Sequence, residues 1–181
     1  MPRRKKDAHR AAARQVAVVG VREEKETKQP IVILKETDGC RYLVIWIGPM
    51  EARAISFAEQ GIVPPGPGPL THDLMRDMLE VLGVWLTAAV IRELKGGVFY
   101  SYLTFSNGIE VGARPSDAIA LAQRTGAPVH VRSEILDEAG VELPDEPLSR
   151  SMKAITRVAL TLWAAATAGK ASRRRAGRAW R

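Results

Sequence analysis

The stretch Arg114-Pro-Ser-Asp117 places a cation, a hydroxyl and a carboxylate at the start of an Ala-rich segment that is typical of a helix. Asp117 there is ordinary helix-start chemistry, because the first N–H groups of a helix are unpaired and its N-terminus is positive. Arg114 is not explained in this way. A guanidinium that is buried at the positive end of a helix needs an acidic partner or a bound anion.

Two other predicted helix starts carry groups that could act with Arg114. His72 and Asp73 lie in one first turn, and Glu51 lies in another. If these helices begin on one side of the fold, a phosphate there would meet helix N–H groups and Arg114 together. A histidine could then serve as general acid or base, and the carboxylates could hold Mg²⁺ or Mn²⁺. The candidate catalytic residues are His72, Asp73, Asp117 and Glu51, and the candidate substrate-binding residues are Arg114 and Ser116.

The same residues also have structural explanations. Asp73 is a favourable first-turn acid, and an ion pair of Arg114 with Asp117 or Glu51 could lock two units of the fold together. The sequence contains no His-x-x-x-His, no Asp-x-Asp and no close cluster of acids. The metal therefore stays open at this point, and no organic cofactor is expected.

Hydrophobic patterning predicts the elements that must position these residues. Asp38-Gly39 and Asn107-Gly108 are typical of hairpin turns. Leu74, Met78 and Leu82 recur at i, i+4 and i+8, which predicts an amphipathic helix with one apolar stripe. Strands are predicted at 15–21, 30–35, 41–47, 84–94, 98–105, 109–113 and 128–132, and helices at 50–60, from 71 to about 82, from 115 to about 125, and at 152–168.

Two of these helix starts share a pattern. Pro49-Met-Glu-Ala-Arg-Ala-Ile55 and Pro115-Ser-Asp-Ala-Ile-Ala-Leu121 both read Pro-x-acid-Ala-x-Ala-aliphatic, and each follows a predicted strand. Proline suits the first helical position, because the N–H that it lacks would be unpaired there. The pattern suggests a duplicated strand–helix unit. The first copy has Gly48 and Met50 at the positions that Arg114 and Ser116 occupy in the second copy. Arg114 and Ser116 are therefore the first residues to test for function.

The net charge of +7 is divided unevenly along the 181 residues. Residues 1–14 hold six basic and one acidic residue, and residues 149–181 hold nine basic residues and no acid. The part between them carries a net −7. An argument for nucleic-acid binding from charge therefore concerns the tails, whereas the folded part is acidic.

Few features of the sequence indicate the cellular compartment of the protein. Cys40 is the single cysteine, so no intramolecular disulfide forms, which fits a reducing setting. The apolar run that follows the basic start is too short for a secretory signal. The apolar segment 158–168 is too short to span a bilayer. These features predict a cytoplasmic protein without a membrane partner.

Three motifs, in this order, carry a resemblance: Leu43-Val-Ile-Trp-Ile-Gly-Pro49, Pro69-Leu-Thr-His-Asp-Leu74 and Ala113-Arg-Pro-Ser-Asp-Ala-Ile-Ala-Leu-Ala122. The chain resembles the bifunctional nuclease domain family over about residues 15–141. The resemblance implies an α+β fold, with a duplicated β-α-β-β type unit whose antiparallel strands form a small barrel-like sheet with helices packed outside. It also implies a homo-oligomer and nuclease action on DNA and RNA.

These observations define three segments and two functional hypotheses. The segments are a basic N-terminal tail (1–14), the nuclease-like domain (15–141) and an Ala/Arg-rich extension (142–181), expected to be partly helical and then disordered. The first hypothesis is a nuclease of low sequence specificity. The second is a non-catalytic oligomeric module whose basic tails hold nucleic acid electrostatically.

Overall fold

The computed structural model describes residues 13–63 and 66–142. The first strand begins at Ala13, two residues inside the predicted N-terminal tail. The rest of that tail, the predicted helix at 152–168 and the basic segment after it lie outside the described residues.

The described residues form eight strands and four helices. The strands are β1 (Ala13–Glu23), β2 (Pro30–Glu36), β3 (Arg41–Trp46), β4 (Leu86–Lys95), β5 (Val98–Phe105), β6 (Glu110–Ala113), β7 (Val129–Arg132) and β8 (Val141–Glu142). The helices are α1 (Pro49–Glu59), α2 (Thr71–Val81), α3 (Pro115–Thr125) and α4 (Ser133–Ala139).

All eight strands belong to one mixed sheet in the order β6-β5-β4-β7-β1-β2-β3-β8. Neighbours are antiparallel except β4 and β7, which are parallel. A hairpin reverses the chain, but β7 is reached through the crossover helix α3 and so joins β4 in the parallel sense. The α+β class is confirmed. The prediction of an antiparallel, barrel-like sheet was wrong, because the sheet is mixed and open within the described residues, with β6 and β8 at its edges.

The predicted hairpin turns are confirmed. Asp38-Gly39 lies between the paired strands β2 and β3, and Asn107-Gly108 lies between β5 and β6. Gly108 has a φ of 79°, a conformation that glycine adopts without steric cost. These turns set the register in which β2 pairs with β3 and β5 pairs with β6.

The main core lies between the sheet and the helices. Helices α1 and α3 contact each other, α1 packs on β1 and β2, and α3 packs on β4 and β5. Ala118, Ala120 and Ala122 of α3 are buried, and their small size allows the helix to approach the sheet closely. Pro49 and Pro115 begin these two helices, as predicted. The packing brings the starts of α1 and α3 side by side.

Two elements near the end of the described chain were not predicted. The sequence pattern predicted no helix or strand between residues 132 and 152, yet Leu136 and Ala139 of α4 are buried and β8 pairs with β3. The prediction was wrong because the helix has only seven residues. Its apolar positions, Ile135, Leu136 and Ala139, are too few to show a periodicity.

Glu24 is a fully buried carboxylate in the loop between β1 and β2. It accepts hydrogen bonds from the backbone N–H groups of Glu26 and Thr27 and from the Thr27 hydroxyl, the last at 2.7 Å. Burial by itself would raise the pKa of Glu24, but these hydrogen bonds to the charged form outweigh it, so the pKa is lowered.

This buried carboxylate gives a pH-dependent contribution to stability. A carboxyl whose pKa is lowered by folding stabilises the fold above its unfolded pKa, and the contribution is lost as the pH falls through its folded pKa. We expect Glu24→Gln to lower the free energy of unfolding by about 1–3 kcal/mol at pH 7. The difference from wild type should shrink as the pH falls below the unfolded value. Urea unfolding at several pH values measures this, and the exposed Glu23→Gln should leave stability unchanged at pH 7.

Candidate functional site

The starts of three helices converge on one groove with a volume of about 970 Å³. Glu51 lies in the first turn of α1, His72 in the first turn of α2, and Asp117 in the first turn of α3. The convergence expected from the sequence is therefore present. Because the N-terminus of each helix is positive, the three together favour negative charge at this end of the groove.

Arg114 is the central group of this end. Its Nε lies 2.8 Å from Asp117 Oδ2, its Nη2 3.2 Å from Asp117 Oδ1, and its Nη1 2.9 Å from Glu51 Oε1. The hydrogen bonds to Asp117, with those to Glu51, raise the pKa of Arg114 above its usual value. Among the described residues these contacts engage three of its five N–H groups, and its side chain is 66% exposed. Arg114 therefore presents N–H groups to the groove.

His72 lies on the other side of Asp117. Its Nε2 is 3.4 Å from Asp117 Oδ1, and its side chain is only 12% exposed. Asp117 Oδ1 thus faces both the imidazole and the guanidinium of Arg114. A carboxylate in this position can orient an imidazole, and contacts of this length often shorten when a substrate is bound.

Asp73 is directed away from this cluster. Its Oδ1 lies 2.8 Å from Nε of Arg124, which is almost completely buried. Arg124 also donates to the carbonyl oxygens of Ala120 and Ala54, each at 3.0 Å. The guanidinium therefore ties together α1, α2 and α3, and it fixes the position of the three helix starts.

Ser116 is buried and lines a second cavity of about 630 Å³. Glu51 and Arg114 line both this cavity and the groove. The ion pair between Glu51 and Arg114 therefore separates the groove from this cavity. Ser116 lines the cavity, whereas His72 lines the groove.

The carboxylates do not fit a divalent cation in this arrangement. Among the described residues, no group of three or more His, Cys, Asp or Glu side chains could hold a metal ion. The guanidinium of Arg114 contacts both Glu51 and Asp117, so a cation would have to displace it to bind their oxygens. Mg²⁺ and Mn²⁺ need carboxylate oxygens that are free to bind them.

The sequence reasoning missed two features of the groove. Arg53 lines it and stacks over Phe57 at 4.9 Å, which adds a second cation to the groove lining. Most of the groove wall is apolar, although the sequence pointed only to polar groups. The apolar lining comes from α2, β5 and β6 and includes Met75, Met78, Leu82, Leu103, Phe105 and Val111.

Fold and site together define a class: an α+β domain in which three helix starts bring a histidine–carboxylate–arginine cluster to the end of a groove. The chain belongs to the bifunctional nuclease domain family, whose model matches residues 32–144, more than half of the chain. This confirms the resemblance found in the sequence motifs.

The chain is also similar to two proteins from Mycobacterium tuberculosis. They are "Uncharacterized protein MT1877" of strain CDC 1551 and "Uncharacterized protein Rv1829" of strain H37Rv. Each is 48% identical to this chain over 132 residues, a match that covers 73% of this chain and 79% of the relative. None of the helices in the described part of the chain is long and apolar enough to cross a membrane.

Proposed function

We propose that this protein is a nuclease that hydrolyses phosphodiester bonds of DNA and RNA with little sequence specificity. The observation that carries the proposal is the cluster of His72, Asp117 and Arg114 at the meeting point of three helix starts. A base, a group that orients it and a cation beside an open groove are the parts that such a hydrolysis needs. Membership in the bifunctional nuclease domain family supports the same reaction.

In the proposed reaction, Arg114 donates its outward N–H groups to a phosphate oxygen, aided by the helix starts. His72 takes a proton from a water molecule whose oxygen attacks phosphorus. The bond from phosphorus to the leaving ester oxygen breaks, and that oxygen takes a proton from solvent. Asp117 orients His72, and Glu51 holds Arg114 in place. Asp73 has a structural role through Arg124, and Ser116 contributes no step.

The activity itself is tested with the purified full chain on single-stranded DNA and RNA oligonucleotides. Since the carboxylates do not fit a divalent cation, no step is assigned to one. The sequence-based expectation of Mg²⁺ or Mn²⁺ is tested by assays with each ion and with a chelator. Hydrolysis of both substrates supports the proposal. Absence of hydrolysis under all three conditions would refute it.

A prediction arises at Gly48, beside the carboxylate that holds Arg114. A Cβ atom on Gly48 would overlap Oε2 of Glu51, so any side chain there must displace this carboxylate. We expect Gly48→Ala to lower the hydrolysis rate, by up to about 100-fold, because Arg114 loses its positioning partner. Rates of Gly48→Ala, Glu51→Gln and the double variant measure this. If both act through one contact, the double variant should be no slower than the slower single variant, whereas multiplying effects would contradict it.

A second candidate function is the non-catalytic binding module. The observation that favours it is that Arg114 is already neutralised by two carboxylates, as in a structural lock between α1 and α3. In that case the basic tails bind nucleic acid. Replacing Arg173, Arg174 and Arg175 by glutamate should then weaken binding and lower the salt slope by about 2–3. An affinity and a salt slope that do not change favour the groove.

Three finer points belong to the same proposal. The third residue of α1, Glu51, and the third residue of α3, Asp117, both bind Arg114, which supports a duplicated unit. The family resemblance supports a homo-oligomer. A cytoplasmic location rests on the single cysteine, Cys40, and is tested by fractionating cells that express the tagged chain.

A further inference from the structure

Ser116 is a buried serine with an unpaired hydroxyl. The residue is only 7% exposed, and its hydroxyl forms no hydrogen bond with any other described residue. The oxygen is nevertheless not one of the unpaired polar atoms that the described protein atoms enclose completely. Because Ser116 lines the second cavity, this hydroxyl is open to that cavity.

The fold gains no hydrogen bond from the Ser116 hydroxyl, although burying a polar group without a partner has a free-energy cost. Ser101, the other buried serine of the described residues, shows the structural case. Its hydroxyl donates to the carbonyl oxygen of Ala113 at 2.7 Å. Ser116 does not cap α3 either, because the N-cap position of that helix is Arg114. The hydroxyl is therefore available to a ligand.

The walls of the second cavity suit a nucleoside. The partly buried Trp46 and Phe99 line it, and nucleic acid bases stack on aromatic side chains. Its volume of about 630 Å³ lies within the range of pockets that hold small organic molecules. Arg114 is the only cation among its described lining residues, beside the carboxylates of Glu51 and Glu138. The cavity therefore favours an uncharged group over a second phosphate.

The groove and the second cavity meet at Arg114. Arg114 and Glu51 line both spaces, whereas His72 lines only the groove. A phosphate on the outward N–H groups of Arg114 would therefore have the groove on one side and the cavity on the other. In phosphoryl transfer the attacking and leaving oxygens are roughly in line on opposite sides of phosphorus. If His72 activates a water molecule in the groove, the leaving oxygen points to the cavity.

We propose that the second cavity binds the nucleoside that leaves when the phosphodiester bond is cut, with Ser116 as its hydrogen-bonding group. This inference rests on the proposed nuclease function and assigns a second binding site to the substrate. The water oxygen bonds to phosphorus as His72 takes its proton, the bond to the leaving nucleoside breaks, and that nucleoside takes a proton from solvent. A serine hydroxyl can donate or accept, so it can bind the polar edge of any base.

A dinucleotide and two of its analogues test this site. Dithymidine monophosphate has a nucleoside on each side of its phosphate, and in each analogue a methyl group replaces one thymidine. The thymidine that the full chain releases without phosphate is the leaving nucleoside. We expect kcat/KM to fall about fivefold or more for the analogue that lacks it, the contribution of one stacked base.

Ser116→Ala assigns the effect to the second cavity. It should lower kcat/KM about 2- to 12-fold, the range of one hydrogen bond, for the dinucleotide and for the analogue that keeps the leaving nucleoside. For the other analogue this loss should disappear. Ser116→Thr keeps the hydroxyl and should restore the rate on the dinucleotide. An equal loss on all three compounds would overturn the proposal.

The matched control is Ser101→Ala. Because it removes the hydrogen bond to Ala113, it should lower the midpoint of urea unfolding and change kcat/KM by the same factor for all three compounds. Ser116→Ala should leave the midpoint unchanged or raise it, since no hydrogen bond of the fold is lost. A midpoint that falls as far as that of Ser101→Ala would make Ser116 structural and refute the inference.

Binding measurements separate this inference from the proposed reaction. Calorimetric titration with dithymidine monophosphate and with the two analogues requires no turnover. If the chain cuts none of them but binds the dinucleotide more tightly than one analogue, and Ser116→Ala removes that difference, the nuclease proposal fails and the cavity is still a nucleoside site. Equal affinities of wild type and Ser116→Ala for the dinucleotide would refute the cavity site, whether or not the chain is a nuclease.

Discussion

Replacing His72 by glutamine is expected to lower the rate of phosphodiester hydrolysis about 100- to 10,000-fold, the contribution of a positioned general base. Glutamine keeps an N–H group that can face Asp117 Oδ1, so the arrangement of Asp117 and Arg114 should persist. What it lacks is a nitrogen that can take a proton from water. The rate constant at saturating oligonucleotide measures the loss, and circular dichroism and the unfolding midpoint confirm that the fold is retained.

The matched control is Asp77→Asn on the same helix. Asp77 pairs with Arg76 on the charged side of α2 and does not line the groove, so its loss should leave the rate unchanged. Asp117→Asn should be as slow as His72→Gln, because it removes the group that orients both the base and the cation. A general base contributes at least about 100-fold to the rate. If His72→Gln keeps a rate within about twofold of wild type, His72 is not the base, even if the enzyme is active.

Replacing Arg124 by alanine is expected to destabilise the fold by about 3 kcal/mol, at the lower end of the range for breaking a buried ion pair. The arginine is buried and Asp73 is 23% exposed, so the abandoned carboxylate keeps some contact with water. The carbonyl oxygens of Ala54 and Ala120 also lose a donor. Urea unfolding followed by tryptophan fluorescence measures the change.

Two further variants separate the structural role of this clamp from a catalytic one. Arg76→Ala removes a surface ion pair of α2 and should cost only about 0–1 kcal/mol. Asp73→Ala combined with Arg124→Ala should cost less than the sum of the single changes, because the pair is removed as a unit. An Asp73→Ala protein with full stability and no activity would instead make Asp73 catalytic.

Much of the fold was predictable because its signals are local. The Val- and Ile-rich runs of β2 and β3 and the Asp38-Gly39 and Asn107-Gly108 turns depend on residues close in the chain. The parallel pairing of β4 with β7 depends instead on how α3 crosses the sheet, which no local pattern encodes. The sheet stays open at β6 because of the order in which strands far apart in the sequence are arranged, and no local pattern encodes that order either.

The candidate site was predictable in composition but not in detail. Helix-start chemistry placed Glu51, His72 and Asp117 at three N-termini, and the unexplained cation Arg114 required an acidic partner, which it has twice over. The separation of Asp73 from this group was not predictable. It results from Arg124, whose other partners are backbone carbonyl oxygens and so leave no trace in the sequence.

The orientation of α2 shows a limit of periodicity. The spacing of Leu74, Met78 and Leu82 correctly predicts an amphipathic helix, but it does not say whether the partner of the apolar side is the same chain or another one. Exposure answers this for the described chain: the stripe faces outward.

The double pairing of Arg114 has a consequence for how any anion reaches it. Because Glu51 and Asp117 already compensate its charge, an arriving phosphate gains little from Coulomb attraction alone. Attraction of that kind would hold every polyanion equally well. An anion is held well only when its oxygens match the outward N–H groups that the two carboxylates leave free. If the site binds phosphate as proposed, it would therefore select by shape and hydrogen-bond geometry, and the two carboxylates would keep the guanidinium in position between turnovers.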